Sequence, residues 1–210
     1  MIRHHPAAET LLAHAAGALA PGHALVVAAH IQGCAQCRGA AAQLEAAGGA
    51  LLEGLTPEPL AAEAFAAVLA RLDEPGPPAP APPRQAALGL PPGLSLPAAL
   101  RGTGIGRWLW IGPGIRYSRV RLPWAPGENV MLLRVSGGRR VPYHSHGGAE
   151  LTQVLWGGFS DHTGHYGPGD IGETDETVTH QPAADAEGCL CLASLEGGLR
   201  LPWLTRLLGG

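Results

Sequence analysis

A proline-rich run at residues 75–83 divides the chain into two halves of different composition. Proline fixes φ and has no backbone N–H, so this run is typical of a semi-rigid extended linker rather than a helix or strand. The residues before it are rich in Ala and Leu, with Phe65 as the one aromatic, whereas all five Trp and all three Tyr follow it. Two domains, residues 1–74 and 93–210, are therefore predicted, joined by a Pro-rich linker at 75–92.

The first half carries apolar residues at helical spacing. Three helices are predicted, at residues 7–18, 24–31 and 34–47, with Pro21 breaking the chain between the first two. Pro57 suits the first turn of a fourth helix, whose apolar stripe is expected to be tied to the core on one side. Because a domain of roughly 70 residues built from small aliphatic side chains has a thin core, a structural metal is a natural way to stabilise it.

The second half has many short β-branched or aromatic runs separated by Gly, Pro and Asp. Such spacing favours an all-β antiparallel sandwich or barrel, including the double-stranded β-helix, or jelly roll. The predicted strands are residues 108–111, 117–122, 130–135, 151–156, 171 and 189–193.

Charge and hydropathy limit the partners that are expected. The formal net charge of the 210 residues is −3, and no basic run exceeds Arg139-Arg140. Because binding to nucleic acid requires clustered cations, direct binding is not expected. No apolar run is long enough for a membrane span, and the N-terminus lacks the pattern of a signal peptide. A cytoplasmic location is expected, where the four Cys act as metal ligands or free thiols rather than disulfides.

The spacing His30-x3-Cys34-x2-Cys37 is typical of a zinc site. Zinc requires a fourth ligand, and the candidates are His4, His5, His14 and His23. Two alternatives are that the Cys are small core residues, or that they form a thioredoxin-like redox motif. The redox motif requires a preceding strand, whereas the segment before Cys34 is predicted to be helical.

A second group of candidate ligands lies in the β half, in a pattern that resembles the first cupin motif. The residues that carry the resemblance are Gly138, His144, His146, Glu150 and Gly157. Residues two apart on a strand point to the same face, so both His side chains and the carboxylate that follows can converge inside the barrel.

His180 is the candidate for the late His of the second cupin motif, and Pro168-Gly169-Asp170 resembles the turn that precedes it. The usual Pro-x-Gly-x-x-His is here Asp175-x-Thr177-x-x-His180. Three His and one carboxylate can bind Zn, Mn, Fe or Ni, and the alternative is a degenerate cupin without metal.

Both halves, in this order, resemble the ChrR-type zinc-binding anti-sigma factors. The resemblance rests on His30-x3-Cys34-x2-Cys37, on the opening Arg3-His4-His5, on residues 25–30 and on the cupin motif. It implies that His5 is the fourth ligand of the first zinc and that the cupin metal is also zinc. It further implies an ECF-type sigma factor as the partner, released when the cupin domain senses oxidative stress such as singlet oxygen. The predicted fourth helix is the candidate for part of the contact with that partner.

Cys189 and Cys191 share one face of a predicted strand. They are either buried and inert or sensor thiols near the cupin metal. His162 and His165 are predicted to be solvated turn residues.

An enzymatic alternative is a cupin metalloenzyme of the dioxygenase or isomerase type, with an accessory zinc-binding helical domain. Asp161, Asp170 and Glu173 fall in predicted turns, so no general base is evident beyond the ligands. A simple cupin enzyme also does not need the helical half. A third possibility is a metal sensor without a sigma partner.

Overall fold

The computed structural model of the chain describes residues 1–76 and 89–200. Within these residues, four α-helices precede ten β-strands, which confirms the predicted order of a helical part and a β part. The helices are α1 (Ala8–Ala15), α2 (Pro21–Gly33), α3 (Ala35–Glu53) and α4 (Ala64–Ala70), and a short 3-10 helix spans Ala98–Leu100. Most of the predicted linker, residues 77–88, and the end of the predicted cupin domain, residues 201–210, lie outside the described residues.

The helix boundaries differ from the prediction in all four helices, and α1 ends at Ala15 rather than at residue 18. Pro21 begins α2 instead of breaking the chain, because the first N–H groups of a helix need no partner within it. Helix α3 continues to Glu53. Helix α4 begins at Ala64, seven positions after Pro57.

The β part is an antiparallel structure whose central strands are far apart in sequence. The strands are β1 (Gly104–Ile105), β2 (Leu109–Gly112), β3 (Ile115–Leu122), β4 (Ala125–Val135), β5 (Ser145–His146), β6 (Glu150–Asp161), β7 (Gly164–Tyr166), β8 (Ile171–Thr174), β9 (Ala183–Leu195) and β10 (Leu199–Arg200). The main sheet has the order β1-β3-β4-β9-β6-β7, with β2 paired to β3 and β8 paired to β6. Strands β5 and β10 form a separate pair.

Helix α2 joins the helical and β parts into one apolar core. Its neighbouring residues Val26 and Val27 are both fully buried, although they point in directions about 100° apart around the helix. The helix contacts α1 and α3 as well as strands β4, β6 and β9. Its side chains belong to the same core cluster as Val130, Leu151 and Leu192 of the sheet. The sheet therefore completes the thin core that was predicted for the helices.

Helix α4 does not pack on this core. None of its residues is buried, and Phe65 is 73% exposed. The expectation that its apolar stripe is tied to the core on one side is therefore wrong. None of the helices in the two described ranges is long and apolar enough to cross a membrane.

Gly22 brings the start of α2 into close contact with the sheet. Its N–H donates to Glu128 Oε2 at 2.9 Å, and a Cβ at this position would overlap Ser194 and lie 2.9 Å from Val130 Cγ2. We expect Gly22→Ala to destabilise the chain by about 1–3 kcal/mol through overpacking. Gly48→Ala in α3 is the control, because nothing lies near its Cβ position and the exchange favours a helix by about 0.5–1 kcal/mol. Urea unfolding measures the free energy of unfolding of both variants. Equal changes in the two would contradict a close contact between Gly22 and the sheet.

Candidate metal centres

The first group of metal-ligating side chains lies where α2 meets α3. His30 is in the last turn of α2, Cys34 is the extended residue between the helices, and Cys37 is in the first turn of α3. Cys34 Sγ accepts a hydrogen bond from the backbone N–H of Cys37 at 3.5 Å. His5 reaches the group from the N-terminal segment that precedes α1. The junction of α2 and α3 thus supplies three donors, and the N-terminal segment supplies the fourth.

The spacing of these donors fits a tetrahedral zinc ion. His5 Nδ1 lies 3.4 Å from Cys34 Sγ and 3.3 Å from Cys37 Sγ, and His30 Nε2 lies 3.3 Å from Cys37 Sγ. Tetrahedral bonds of about 2.3 Å to sulfur and about 2.0 Å to nitrogen give N···S edges of about 3.5 Å. The donor set and its spacing therefore suit one ion with no open coordination position.

Hydrogen bonding orients His30 in the first group, and burial shifts the pKa values of His30 and Cys37. His30 Nδ1 donates to the Gly169 carbonyl at 2.9 Å, which leaves the Nε2 lone pair directed at the group. Burial lowers the pKa of His30, so the ring is neutral. Burial, reinforced by Cys34, raises the pKa of Cys37 to about 11. A bound cation would reverse this rise by stabilising the thiolate.

The other three candidates for the fourth ligand lie away from this group. The His4 ring packs on Tyr166 with 4.4 Å between centroids. His23 is buried with Nδ1 at 3.3 Å from a carboxylate oxygen of Glu196. His14 is not in the group either, and burial lowers its pKa.

The second group of side chains lies inside the β part. His144 and His180 form an isolated antiparallel bridge, in which each backbone N–H donates to the carbonyl of the other, at 3.1 and 3.0 Å. His146 is in β5, and Glu150 begins β6. The donor atoms of all four side chains lie within 4.8 Å of one another.

The tautomers of two His residues in this group follow from their partners. His144 Nδ1 donates to the Pro142 carbonyl at 2.6 Å, and His180 Nδ1 donates to Asp161 Oδ2 at 2.8 Å. Burial lowers the pKa of His144, which keeps its ring neutral. Its Nε2 lies 3.1 Å from Nε2 of His180, so the two ring nitrogens that are not bonded to protein oxygens face each other. A shared cation could be coordinated by both of these nitrogens.

Glu150 supplies the negative charge of the second group. Burial alone would raise its pKa, but the hydrogen bond and charge of His146 and the Thr152 hydroxyl lower it overall. Thr152 Oγ1 donates to Glu150 Oε1 at 2.6 Å. Glu150 Oε2 and His146 Nε2 are buried and contact each other, and among the described residues neither has another hydrogen-bond partner. A divalent cation would satisfy both atoms, so the residues fit a metal.

Comparison with known proteins agrees with this architecture. A family model described as the ChrR cupin-like domain matches residues 100–197. The curated anti-sigma-E factor ChrR of Cereibacter sphaeroides is 40% identical over 200 residues, which cover 95% of this chain and 92% of the relative. The chain belongs to the ChrR family. The cupin prediction for the β half is thereby confirmed.

A solved structure of a ChrR-family protein extends the match to three dimensions. It is the crystal structure of Rhodobacter sphaeroides SigE in complex with the anti-sigma ChrR. The TM-score is 0.76 at 36% identity, and the alignment covers 93% of this chain and all of that one. The likeness therefore includes both the helical and the cupin part of the ChrR architecture.

In this ChrR-family chain, the second group borders a small cavity of about 70 Å³. Phe159, Tyr166, Cys189 and Cys191 line it together with His144, Glu150 and His180. Both Cys are buried and free. The hydrogen bond from Cys191 lowers the pKa of Cys189, whereas that bond and burial raise the pKa of Cys191 well above its ordinary value. Cys189 is therefore the thiol that ionises more readily.

Two carboxylates beside the candidate metal groups of this ChrR-family chain were missed by sequence reasoning. Asp161, predicted to be a turn residue, ends β6 and orients His180. Asp170 is 3% exposed and holds the N-terminal segment next to His5. Neither carries a local motif, and only the Pro-Gly-Asp turn drew attention to Asp170. His165, predicted to be solvated, is half-exposed in β7 and bonds Asp185 at 3.0 Å.

Proposed function

We propose that this chain is an anti-sigma factor that sequesters an ECF-type sigma factor through its helical part. The curated relative is named an anti-sigma-E factor, and the matching solved structure is a complex of SigE with ChrR. A sigma factor acts with RNA polymerase, so a cytoplasmic location belongs to the same proposal. The proposed units are a zinc-binding domain (1–74), a linker (75–92) and a cupin domain (93–210).

An unpartnered apolar surface is the observation that carries this proposal. Eight large apolar side chains between the end of α3 and the residues just after α4 are 47–83% exposed. Large apolar side chains exposed in such number within one segment mark an interaction site in a folded protein. We call it the α3–α4 apolar surface; its members are Leu51, Leu52, Leu55, Leu60, Phe65, Val68, Leu69 and Leu72.

We assign the two metal groups different roles. His5, His30, Cys34 and Cys37 would hold a structural zinc that fixes the corner between α2 and α3. His144, His146, Glu150 and His180 would hold a second divalent metal, also zinc by family resemblance. Thiolates with imidazoles suit zinc, whereas three imidazoles and a carboxylate are compatible with several metals.

The cupin domain is the proposed sensor of oxidative stress such as singlet oxygen. Its metal group and the two Cys face the same cavity, so an oxidant that enters would meet both. Cys189 is the candidate for first oxidation, because thiolate character sets reactivity. A signal can release the sigma factor only if it acts unequally on the bound and free states.

Co-expression of the full chain with ECF-type sigma factors tests the proposal. We expect a stable one-to-one complex that carries two metal ions per chain by mass spectrometry of the metals. The proposal is wrong if no ECF-type sigma factor of the source organism copurifies and the purified chain does not inhibit sigma-dependent transcription.

His144→Ala tests whether sensing by the cupin domain is independent of sigma binding by the helical part. The exchange leaves three donors at the second site, and we expect that site to lose its metal while sigma affinity changes less than about threefold. Release of sigma by singlet oxygen should be abolished, as followed by transcription from a sigma-dependent promoter. Glu187→Ala, at an exposed position on β9 outside both groups, is the control. Loss of sigma binding in His144→Ala would contradict the assignment of sensing to the cupin domain and of sigma binding to the helical part.

A cupin metalloenzyme of the dioxygenase or isomerase type is the second candidate. The cavity beside the second group favours it, because a small molecule there could reach a metal held by that group. A buried Asp161 beside His180 adds a carboxylate that sequence reasoning did not assign to the site. Turnover of a small substrate that is abolished by His144→Ala, without any sigma partner, would favour this reading.

A further inference from the structure

The turn at residues 167–170, between β7 and β8, clamps the segment that carries His5. We call it the docking turn. Oδ1 of Asp170 accepts from the backbone N–H groups of Arg3 at 2.6 Å and His4 at 3.0 Å, while Oδ2 accepts from Gly167 at 2.9 Å. The N–H of Ile171 donates to the His4 carbonyl at 3.2 Å. The residue immediately before His5 is therefore held on both sides by the cupin domain.

The same turn orients His30. The Gly169 carbonyl accepts from His30 Nδ1 at 2.9 Å, across 139 positions of sequence. Because a carbonyl can only accept, this contact sets the tautomer and directs Nε2 toward Cys37. Gly169 has a φ of +91°, and a Cβ there would lie 2.7 Å from Ile2 Cγ1, so the turn needs glycine to seat the N-terminal segment. Both imidazoles of the first group are thus positioned by the cupin domain.

A short ladder connects the docking turn to the second metal group. Gly169 N–H donates to the Val154 carbonyl at 2.8 Å, and Val154 N–H donates to the Asp170 carbonyl at 2.9 Å. Strand β8 follows the turn and pairs with β6, so that Gln153 faces Ile171 and Glu150 faces Thr174. Glu150 is therefore four residues along β6 from the docking turn, about 13 Å at strand spacing.

We propose that the docking turn is the second coordination sphere of the first metal site and that it couples this site to the cupin metal site. Asp170 is the positioning residue, acting on His5 through Arg3 and His4, and the Gly169 carbonyl acts on His30. A change in coordination at Glu150 shifts β6 against β8 and so loosens both imidazoles of the first site. The inference rests on the proposed metal at each site, and it names the path between them.

The test uses the full chain loaded with Co²⁺, whose thiolate charge-transfer absorption reports the Cys-containing site alone. Excess chelator is added and decay of that absorption is followed. We expect Asp170→Ala to lose first-site cobalt about tenfold faster than the native chain, the size typical of an outer-sphere loss. The rate of cobalt loss from Asp170→Asn should lie between those of the native chain and Asp170→Ala. The amide oxygen of Asn can still accept from Arg3 and His4, but its NH2 group cannot accept from Gly167.

Glu128→Ala is the matched control. It removes another carboxylate of the cupin domain that accepts a backbone N–H of the helical part, at Gly22, away from the metal ligands. We expect its rate of cobalt loss to stay within about twofold of native. A Glu128→Ala rate equal to that of Asp170→Ala would overturn the inference, since any loosening of the interface would then suffice. Retention of cobalt at the second site verifies that the cupin domain of the Asp170 and Glu128 variants is folded.

Coupling is measured by adding Glu150→Ala to the native chain and to Asp170→Ala. We expect Glu150→Ala to accelerate first-site loss about fivefold in the native background and less than twofold when Asp170 is absent. Equal acceleration in both backgrounds would overturn the path through the docking turn. A native chain without thiolate–cobalt absorption would overturn the proposed first metal site itself, which is a different result from an unchanged Asp170→Ala rate.

Discussion

Replacing Cys37 with serine is expected to remove zinc from the helical part and to abolish sigma binding. Cys37 Sγ contacts both imidazoles of the first group, and its residue is 2% exposed. Structural zinc contributes apparent binding energies of about 10–16 kcal/mol in small domains. The free energy lost with one of the four ligands therefore exceeds the stability that the thin helical core can supply. We expect sigma affinity to fall at least about 1,000-fold, as measured by calorimetry, with zinc content and far-ultraviolet circular dichroism followed in parallel.

The adjacent pair His4 and His5 offers a matched control for this result. His5→Ala removes a donor and should behave like Cys37→Ser. His4→Ala removes a ring that packs on Tyr166 and has no donor in the group, so zinc and sigma binding should be retained. If His4→Ala and His5→Ala lost zinc equally, or if Cys37→Ser kept zinc and sigma affinity, the assignment of the first site would be wrong.

Placing a charge on the α3–α4 apolar surface is expected to weaken sigma binding without weakening the fold. Phe65 is 73% exposed in α4, where no residue is buried. A central aromatic at an interface contributes about 2–4 kcal/mol, so Phe65→Asp should raise the dissociation constant by about 30- to 1,000-fold. The free energy of unfolding of the isolated chain should change by less than about 0.5 kcal/mol, since the side chain is in water.

Trp124→Asp provides the comparison. Trp124 is 59% exposed in the turn between β3 and β4 of the cupin domain, outside the helical part. The exchange has the same chemistry, an exposed aromatic replaced by a carboxylate, and we expect sigma affinity to change less than about twofold. Phe65→Asp with native affinity would show that α4 is not part of the contact.

The two groups of candidate metal ligands can be read from the sequence most directly where the signal is local. His30, Cys34 and Cys37 lie within eight positions, and a helix corner brings such residues together without help from the rest of the fold. His144 and His146 are similarly close. His5 and His180 are distant in sequence, and they were assigned through family resemblance rather than through spacing. The structure brings both into their groups.

Sequence reasoning failed where a residue's environment comes from distant segments. The fourth helix was expected to be tied to the core on one side and to form part of the sigma contact. Only the first of these is wrong, because periodicity cannot distinguish a face that packs within the chain from one that binds a partner. Asp170 was correctly placed in a turn, but its contact with the N-terminal segment was missed because two of its three N–H partners, Arg3 and His4, are far away in sequence. Pro21 was read as a break because proline both interrupts and begins helices.

The helical and β halves, the donor types of the two candidate metal groups and the family can all be read from the amino-acid sequence alone. These follow from local periodicity, composition and short motifs, which act over a few residues. The tertiary structure decided that α2 is buried between the two halves, that α4 is left open and that the docking turn reaches the first metal group. These depend on contacts across more than 100 positions, and their energies arise only when distant surfaces exclude water together.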